Sequence, residues 1–214
     1  MTVSKIEELS KSRYRIYIDE EFAFVLYKGE LRLYKITVGE DLDEADYHEI
    51  MTVLLPKRAK LRAMNLLTAK EYTVRQLRDK LKDGGYPETI IEEALEYVAG
   101  YHYTDDLRYA VGYITDHEST RSRRRIEQDL IGKGIDSATL EQAWLQWEKK
   151  GGEQDEAAMI QALLEKKHYD PENADEKEKQ RMYGFLMRKG FSGEAVRRAV
   201  CGLGLRYGDQ CGIN

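Results

Sequence analysis

The sequence predicts a mainly α-helical protein: an elongated tandem array of three three-helix repeats, preceded by a small antiparallel β-meander and a helix. Three observations support this prediction. Near the N-terminus, apolar and polar residues alternate with a period of two, as in half-buried strands. From residue 43 onward the apolar spacing becomes helical, and the whole chain of 214 residues contains only 3 prolines. A 20-residue pattern then recurs three times without a gap, which is typical of repeat proteins.

The N-terminal segment predicts three strands. Residues 13–19 alternate strictly, and further apolar runs cover 22–27 and 31–38. The polar separators 19–21 and 28–30 are short, as hairpin connections are. We therefore expect a three-stranded antiparallel meander. Because so small a sheet is marginally stable alone, we expect its apolar face to rest on a helix.

Helical signals begin after this meander. Asp43 or Asp46 can cap a helix that runs to Leu54. Pro56 then interrupts the hydrogen-bond ladder and suits the first turn of a new helix, which we expect over residues 57–67.

Segments 76–95, 125–144 and 181–200 share one pattern. In each, apolar residues four apart predict a helix that ends at a glycine able to adopt positive φ, and the next residue is apolar and packs back. A proline or capping residue then opens another helix, in which an alanine allows close approach to a neighbour. The matching positions are Gly85, Gly134 and Gly190; Pro87, Asp136 and Ser192; and Ala94, Ala143 and Ala199.

Another amphipathic stretch precedes each copy, so the repeating unit is three helices, with copies 49 and 56 residues apart. The sequence therefore divides into an N-terminal extension with a helix (1–55), three repeats (56–104, 105–150 and 151–201) and a glycine-rich flexible tail (202–214).

Charge is distributed unevenly along the chain. The net charge is −5, and residues 1–55 supply all of it, with 7 basic and 12 acidic side chains. No apolar run approaches the roughly 18 residues of a membrane-spanning helix, and the N-terminus lacks a signal-peptide core. We therefore expect a soluble, cytoplasmic protein with no membrane partner.

No group of residues predicts catalysis. The four histidines, His48, His102, His117 and His168, are far apart and lack metal-ligand spacing. The pair Asp105-Asp106 resembles a helix N-cap more than a metal site. The glycines lack the spacing of a phosphate-binding loop. We therefore expect no enzyme, no metal and no cofactor.

Basic residues cluster on or near the predicted middle helix of each repeat. Arg75, Arg78 and Lys82 lie opposite an apolar stripe and are expected to project together into solvent. Such clusters often only keep a surface solvated, but recurrence in all three repeats makes partner binding an equal alternative, and arginine suits phosphates or acidic protein surfaces. The candidate partner-binding residues are Lys57, Arg58, Arg75, Arg78, Lys82, Arg121, Arg123, Arg124, Arg125, Lys133, Arg181 and Arg188.

Four sequences at the repeat boundaries are distinctive together. They are Lys57-Arg58-Ala59-Lys60, the segment Thr73-Val-Arg-Gln-Leu-Arg-Asp-Lys-Leu81 with its following glycine and aromatic, Tyr103-Thr-Asp-Asp-Leu-Arg-Tyr-Ala110, and Leu130-Ile-Gly-Lys-Gly-Ile135. In this order they resemble the RecX family of recombination regulators. The resemblance covers residues 57–200, and the β-rich start is similar to the extension of some Gram-positive members.

The resemblance implies a non-enzymatic, monomeric modulator of the RecA recombinase. Family members bind the RecA filament on single-stranded DNA, lodge along its groove, and alter ATP hydrolysis, strand exchange and repressor cleavage in the SOS response. The basic helix faces would then meet acidic filament surface or DNA phosphate. Two alternatives stay open: a regulator that binds single- or double-stranded DNA directly, and a helical-repeat scaffold for another partner.

Overall fold

The computed structural model describes residues 1–201 and divides into two compact units, one from Met1 to Asp105 and one from Asp106 onward. The predicted flexible tail, 202–214, lies outside the described residues. No helix in the described part is long and apolar enough to cross a membrane.

A three-stranded antiparallel sheet opens the chain, with strand order β1-β2-β3. Its strands are β1 (Val3–Ser10), β2 (Arg13–Ile18) and β3 (Glu21–Tyr27). The predicted meander and two of its strands are confirmed. The predicted third strand, 31–38, is wrong: helix α1 (Lys28–Leu33) covers its first residues and no strand follows in 34–38. The third strand of the sheet is instead β1, upstream of the predicted ones.

Tertiary contacts explain the difference between the predicted and observed strands. In α1, the Glu30 carboxylate accepts a hydrogen bond from the Tyr27 backbone N–H at 2.6 Å and pairs with Arg58, 28 residues away, at 2.7 Å. In β1 only Val3 is fully buried, so this edge strand shows no apolar alternation. Its polar side chains contact β2 instead: Glu7 accepts from the Tyr17 hydroxyl at 3.0 Å.

A continuous helical segment follows. Asp43 caps α2 (Glu44–Glu49) by accepting from the Ala45 N–H at 2.8 Å. The chain then passes through one π-helical segment (Ile50–Leu54) into α3 (Leu55–Ala69), with Pro56 in the first turn of α3. The wider π turn accommodates a proline that has no N–H to donate. The new helix expected at Pro56 is confirmed, although it continues from α2 without a loop.

The first repeat consists of α3, α4 (Val74–Asp83) and α5 (Glu88–Gly100). Its helices share one hydrophobic core with the sheet, which includes Ile16 and Phe24 from the strands and Leu77, Leu81 and Ile91 from the helices. The sheet therefore rests on helices, as a meander of this size requires.

The second and third repeats each have a core of their own. Their helices are α6 (Asp106–His117), α7 (Arg123–Gly132), α8 (Ser137–Lys149), α9 (Glu156–Lys166), α10 (Glu176–Arg188) and α11 (Gly193–Cys201). The prediction of three tandem three-helix repeats is confirmed.

The repeat glycines have the conformation that the sequence predicts. Gly85, Gly134 and Gly190 have φ angles of +80°, +94° and +86° after the middle helix of each repeat. Gly190 has a second constraint, because a Cβ there would lie 2.5 Å from the Cβ of Arg125. The third repeat therefore packs its glycine turn directly against the first turn of α7.

Candidate partner-binding surface

The middle helices of the first two repeats begin with the same capping arrangement. Thr73 accepts a hydrogen bond from the Gln76 N–H at 3.1 Å, and Ser122 accepts one from the Arg125 N–H at 3.3 Å. Both capping residues are buried, which fixes the position of the helix start. Arg75 and Arg124 therefore occupy the same place, the second residue of α4 and of α7.

Arg75 and Arg124 are also alike in their surroundings. Both side chains are exposed, and within residues 1–201 neither guanidinium group has a carboxylate partner. Three further predicted binding residues share these properties in the described part of the chain. They are Lys57, Lys82 and Arg188. The donors of these five exposed side chains are therefore available to a partner.

Arg78 lies in different surroundings. Its guanidinium donates to Glu88 at 2.5 Å and to both carboxylate oxygens of Glu92, across the gap between α4 and α5. This hydrogen bonding lowers the pKa of the Glu92 carboxyl and raises that of Arg78. The expectation that Arg78 projects into solvent beside Arg75 and Lys82 is therefore wrong, because the acidic helix α5 binds it.

The arginine cluster around the start of α7 is mostly engaged inside the second repeat. Arg121 lies 2.6 Å from Asp129 and 2.7 Å from the Tyr113 hydroxyl, and Arg125 lies 3.0 Å from the other Asp129 oxygen. Burial, and then the neighbouring Asp129, raises the pKa of Tyr113. The ammonium group of Lys133 lies 5.2 Å from the Tyr113 ring centre. Asp129 is thus the acceptor that links α7 to α6.

Three other predicted residues also have partners within the chain. Arg123 pairs with Glu127 and Glu148 at 3.0 and 3.2 Å. Arg181 pairs with Glu178 at 3.3 Å but stays 72% exposed. Arg58 is the most enclosed: it donates to Glu30 and to the Val25 carbonyl and lies between two tyrosine rings, with a side chain only 16% exposed.

A cleft of about 570 Å³ between the second and third repeats was not predicted. Trp144, Trp147 and Met159 supply its apolar wall, and Arg124 is among its lining residues. The Trp144 indole N–H is buried and has no hydrogen-bond partner. The sequence offered one signal, the two tryptophans one helical turn apart after the second repeat glycine. The lining also includes Arg123 and three carboxylates, so the cleft combines an apolar wall with charges of both signs.

Within residues 1–201, no group of three or more His, Cys, Asp or Glu side chains lies together in a way that could hold a metal ion. His117, for example, makes a hydrogen bond from its ring Nδ1 to the Tyr113 carbonyl of its own helix at 2.9 Å.

The fold and these surfaces define a tandem three-helix-repeat protein with separate exposed cations. Its sequence matches the first, second and third three-helix domains of RecX in order, over residues 59–97, 105–143 and 153–200. Together these matches cover more than half of the chain, and the chain belongs to the RecX family.

Relatives and a solved structure agree with this assignment. A regulatory protein RecX from Caldanaerobacter subterraneus subsp. tengcongensis is 29% identical over 94% of this chain and 98% of its own length. A regulatory protein RecX from Bacillus subtilis is 26% identical over 92% of this chain and 75% of its own length. A crystal structure of regulatory protein RecX matches with a TM-score of 0.55 and 27% identity, over 93% of this chain and 98% of that one.

Proposed function

We propose that this protein is a non-enzymatic regulator of homologous recombination and of the SOS response. It acts as a monomer in the cytoplasm by binding the RecA nucleoprotein filament on single-stranded DNA. Binding changes the ATPase, strand-exchange and coprotease activities of the filament. Membership of the RecX family and the regulatory name of its relatives support this proposal.

The main support for this binding mode is that Arg75 and Arg124 occupy the same position in the first and second repeats, the second residue of the middle helix. A helical filament presents the same surface at regular intervals, so a repeat protein binds it best with matched contacts in successive repeats. Two exposed, unpaired arginines at one repeat position supply such contacts. Their planar guanidinium groups can donate two hydrogen bonds each to carboxylate or phosphate oxygens.

The proposed contact residues are the exposed cations that have no acidic partner within residues 1–201, namely Lys57, Arg75, Lys82, Arg124 and Arg188. The other predicted residues act mainly within their own repeats. They are Arg58, Arg78, Arg121, Arg123, Arg125, Lys133 and Arg181.

The acidic side chains of α5, the third helix of the first repeat, argue against insertion of this helix into a DNA groove. Glu88 and Glu92 bind Arg78, and Glu93 accepts from Lys60 at 2.7 Å. A recognition helix instead presents donors such as Arg, Asn and Gln to base edges. Direct DNA binding is therefore an outcome of the test and is not part of the proposal.

The test is the ATPase rate of RecA on single-stranded DNA, titrated with this protein from substoichiometric to stoichiometric amounts. We expect the hydrolysis rate to change at concentrations where the protein does not bind bare DNA in a parallel anisotropy control. An unchanged rate with tight, salt-dependent binding to bare DNA would favour the direct DNA regulator. An unchanged rate without DNA binding would leave a scaffold for another partner.

A further inference from the structure

A second cavity, of about 490 Å³, lies inside the first compact unit, where the sheet meets the first repeat. Its walls come from β2, β3, α3 and the end of α4. The side chains that define its chemistry are Arg13, Arg58, Arg62, Lys80, Tyr27 and Tyr86. Four cations therefore line one polar cavity, one from the sheet and three from the first repeat.

Neighbouring carboxylates neutralise only part of this charge. Glu30 pairs with Arg58 at 2.7 Å, and Asp83 lies 4.0 Å from the Lys80 ammonium group, with both side chains of that second pair at least half exposed. Arg13 and Arg62 have no acidic partner in the described residues. Like charges that converge in a part-buried cavity repel one another, and a bound anion removes that repulsion.

The donors in the cavity suit a phosphate group better than a carboxylate. A planar carboxylate is satisfied by one guanidinium fork, whereas a tetrahedral phosphate presents oxygens in several directions and can accept from Arg13, Arg62 and Lys80 together. Neutral donors add to this set. The Ser12 side chain lies on the cavity wall, and burial raises the pKa of the Tyr86 phenol, which keeps its proton.

Arg58 lines one wall of this cavity and is held by several contacts. Its guanidinium group lies 4.9 Å from the Tyr27 ring centre and 5.4 Å from that of Tyr86, and it donates to Glu30 and to the Val25 carbonyl. These four contacts hold the Arg58 side chain in place on one wall of the cavity. Preorganisation of this kind reduces the ordering cost of binding.

We propose that the cavity between the sheet and the first repeat is a phosphate-binding site, with Arg13, Arg62 and Lys80 as the ligand-contacting cations. The phosphate belongs either to the backbone of a single DNA strand or to a free polyphosphate or nucleotide. This site is separate from the exposed arginines of α4 and α7, and its existence does not depend on RecA binding.

The experiment is a titration of the full chain with pyrophosphate and, separately, with a hexathymidylate that lacks terminal phosphates, followed by calorimetry and by the amide NMR shifts of residues 12–13, 62 and 80. We expect saturable binding that shifts these amides. Arg13→Gln and Arg62→Gln should each weaken binding about 5- to 10-fold, because each removes one charge-assisted contact. Tighter binding of pyrophosphate identifies a free anion as the ligand, and tighter binding of the oligonucleotide identifies a DNA backbone.

Arg32→Gln is the matched control, because Arg32 is an exposed arginine of α1 that does not line the cavity. Each variant is also melted with and without pyrophosphate. Pyrophosphate should raise the melting temperature of the parent and of the control more than that of Arg13→Gln or Arg62→Gln.

Glutarate, a dicarboxylate titrated in the same way, tests the preference for phosphate. The proposal is overturned if glutarate binds as tightly as pyrophosphate, if Arg13→Gln, Arg62→Gln and Arg32→Gln lose affinity equally, or if neither phosphate probe shifts the cavity amides. RecA stimulation or inhibition that persists in Arg13→Gln and Arg62→Gln would separate this site from the proposed filament contact.

Discussion

The middle helices α4 and α7 start in the same way but use their arginines differently. Both have a buried hydroxyl cap and an unpaired arginine at the second helical position. In the first repeat the next arginine, Arg78, reaches forward to the glutamates of α5. In the second, Arg121 and Arg125 converge on Asp129 within the repeat and connect α7 to α6 through Tyr113. A cluster of arginines in the sequence therefore contains fewer side chains available to a partner than its count suggests, because several are paired with carboxylates of the same chain.

The largest expected effect is on stability and comes from the most enclosed arginine. Arg58→Ala removes the partner of the part-buried Glu30 and the donor to the Val25 carbonyl, so it should destabilise the first unit by about 2–4 kcal/mol. Amide hydrogen exchange in β3, α1 and α3 should accelerate. Tryptophan fluorescence provides an internal control, because both tryptophans lie in α8 of the other unit. Unchanged amide exchange in the first unit would show that the contacts of Arg58 do not stabilise it.

A smaller effect is expected for the arginine that links α7 to α6. Arg121→Ala leaves Asp129, whose side chain is only 15% exposed, with Arg125 and the Tyr113 hydroxyl, and should lower the free energy of unfolding by about 1–2 kcal/mol. Arg124→Ala is the matched control and should change it by less than about 0.5 kcal/mol. Urea unfolding followed by tryptophan fluorescence measures both. Equal losses in the two variants would contradict the division into paired and unpaired arginines.

The smallest expected effect is a difference between the first and second repeats in how their stability depends on acidic pH. Hydrogen bonds from the Thr139 backbone and hydroxyl, at 2.8 and 3.0 Å, lower the pKa of Asp136, which caps α8, whereas the matching position before α5 is Pro87 and does not titrate. A carboxyl whose pKa is lowered by folding stabilises the protein above its unfolded pKa of about 3.9, and this contribution is lost as the pH falls through the folded value.

The second repeat should therefore lose stability below about pH 4 in part through Asp136. The check is the pH dependence of tryptophan-monitored unfolding in the parent and in Asp136→Asn, which keeps a capping side chain without the charge. We expect a shallower acid slope in the variant. Parallel slopes in the two proteins would show that Asp136 does not contribute to acid sensitivity.

The repeats were predictable because each depends on local chemistry. A glycine at positive φ, a capping residue two positions later and apolar residues four apart act within one short segment, and all are visible in the sequence. Helix α1 and strand β1 were not predictable in this way. Glu30 in α1 is held by Arg58 of α3, and β1 is held by backbone pairing and by polar contacts such as that of Glu7 with Tyr17, which leave no apolar period.

The candidate site was predictable as a set of positions but not as a set of available charges. Helical spacing correctly placed Arg75 and Lys82 on an exposed face. It did not show that Glu88 and Glu92 of the next helix reach Arg78, because that contact depends on how α4 and α5 pack. The cavity between the sheet and the first repeat was invisible for the same reason, since Arg13, Arg62 and Lys80 lie far apart in the chain.

The central claim is that the unpaired arginines at one repeat position carry filament binding. The most direct test is the affinity of Arg75→Glu/Arg124→Glu for RecA filaments on single-stranded DNA, measured by fluorescence anisotropy of the labelled protein. Arg32→Glu/Arg197→Glu is the matched control, with the same charge change at two exposed arginines outside the proposed contact. We expect the test variant to bind at least about 10-fold more weakly and the control to stay within about 3-fold of the parent. Equal affinities of the two variants, both folded by circular dichroism, would contradict the claim.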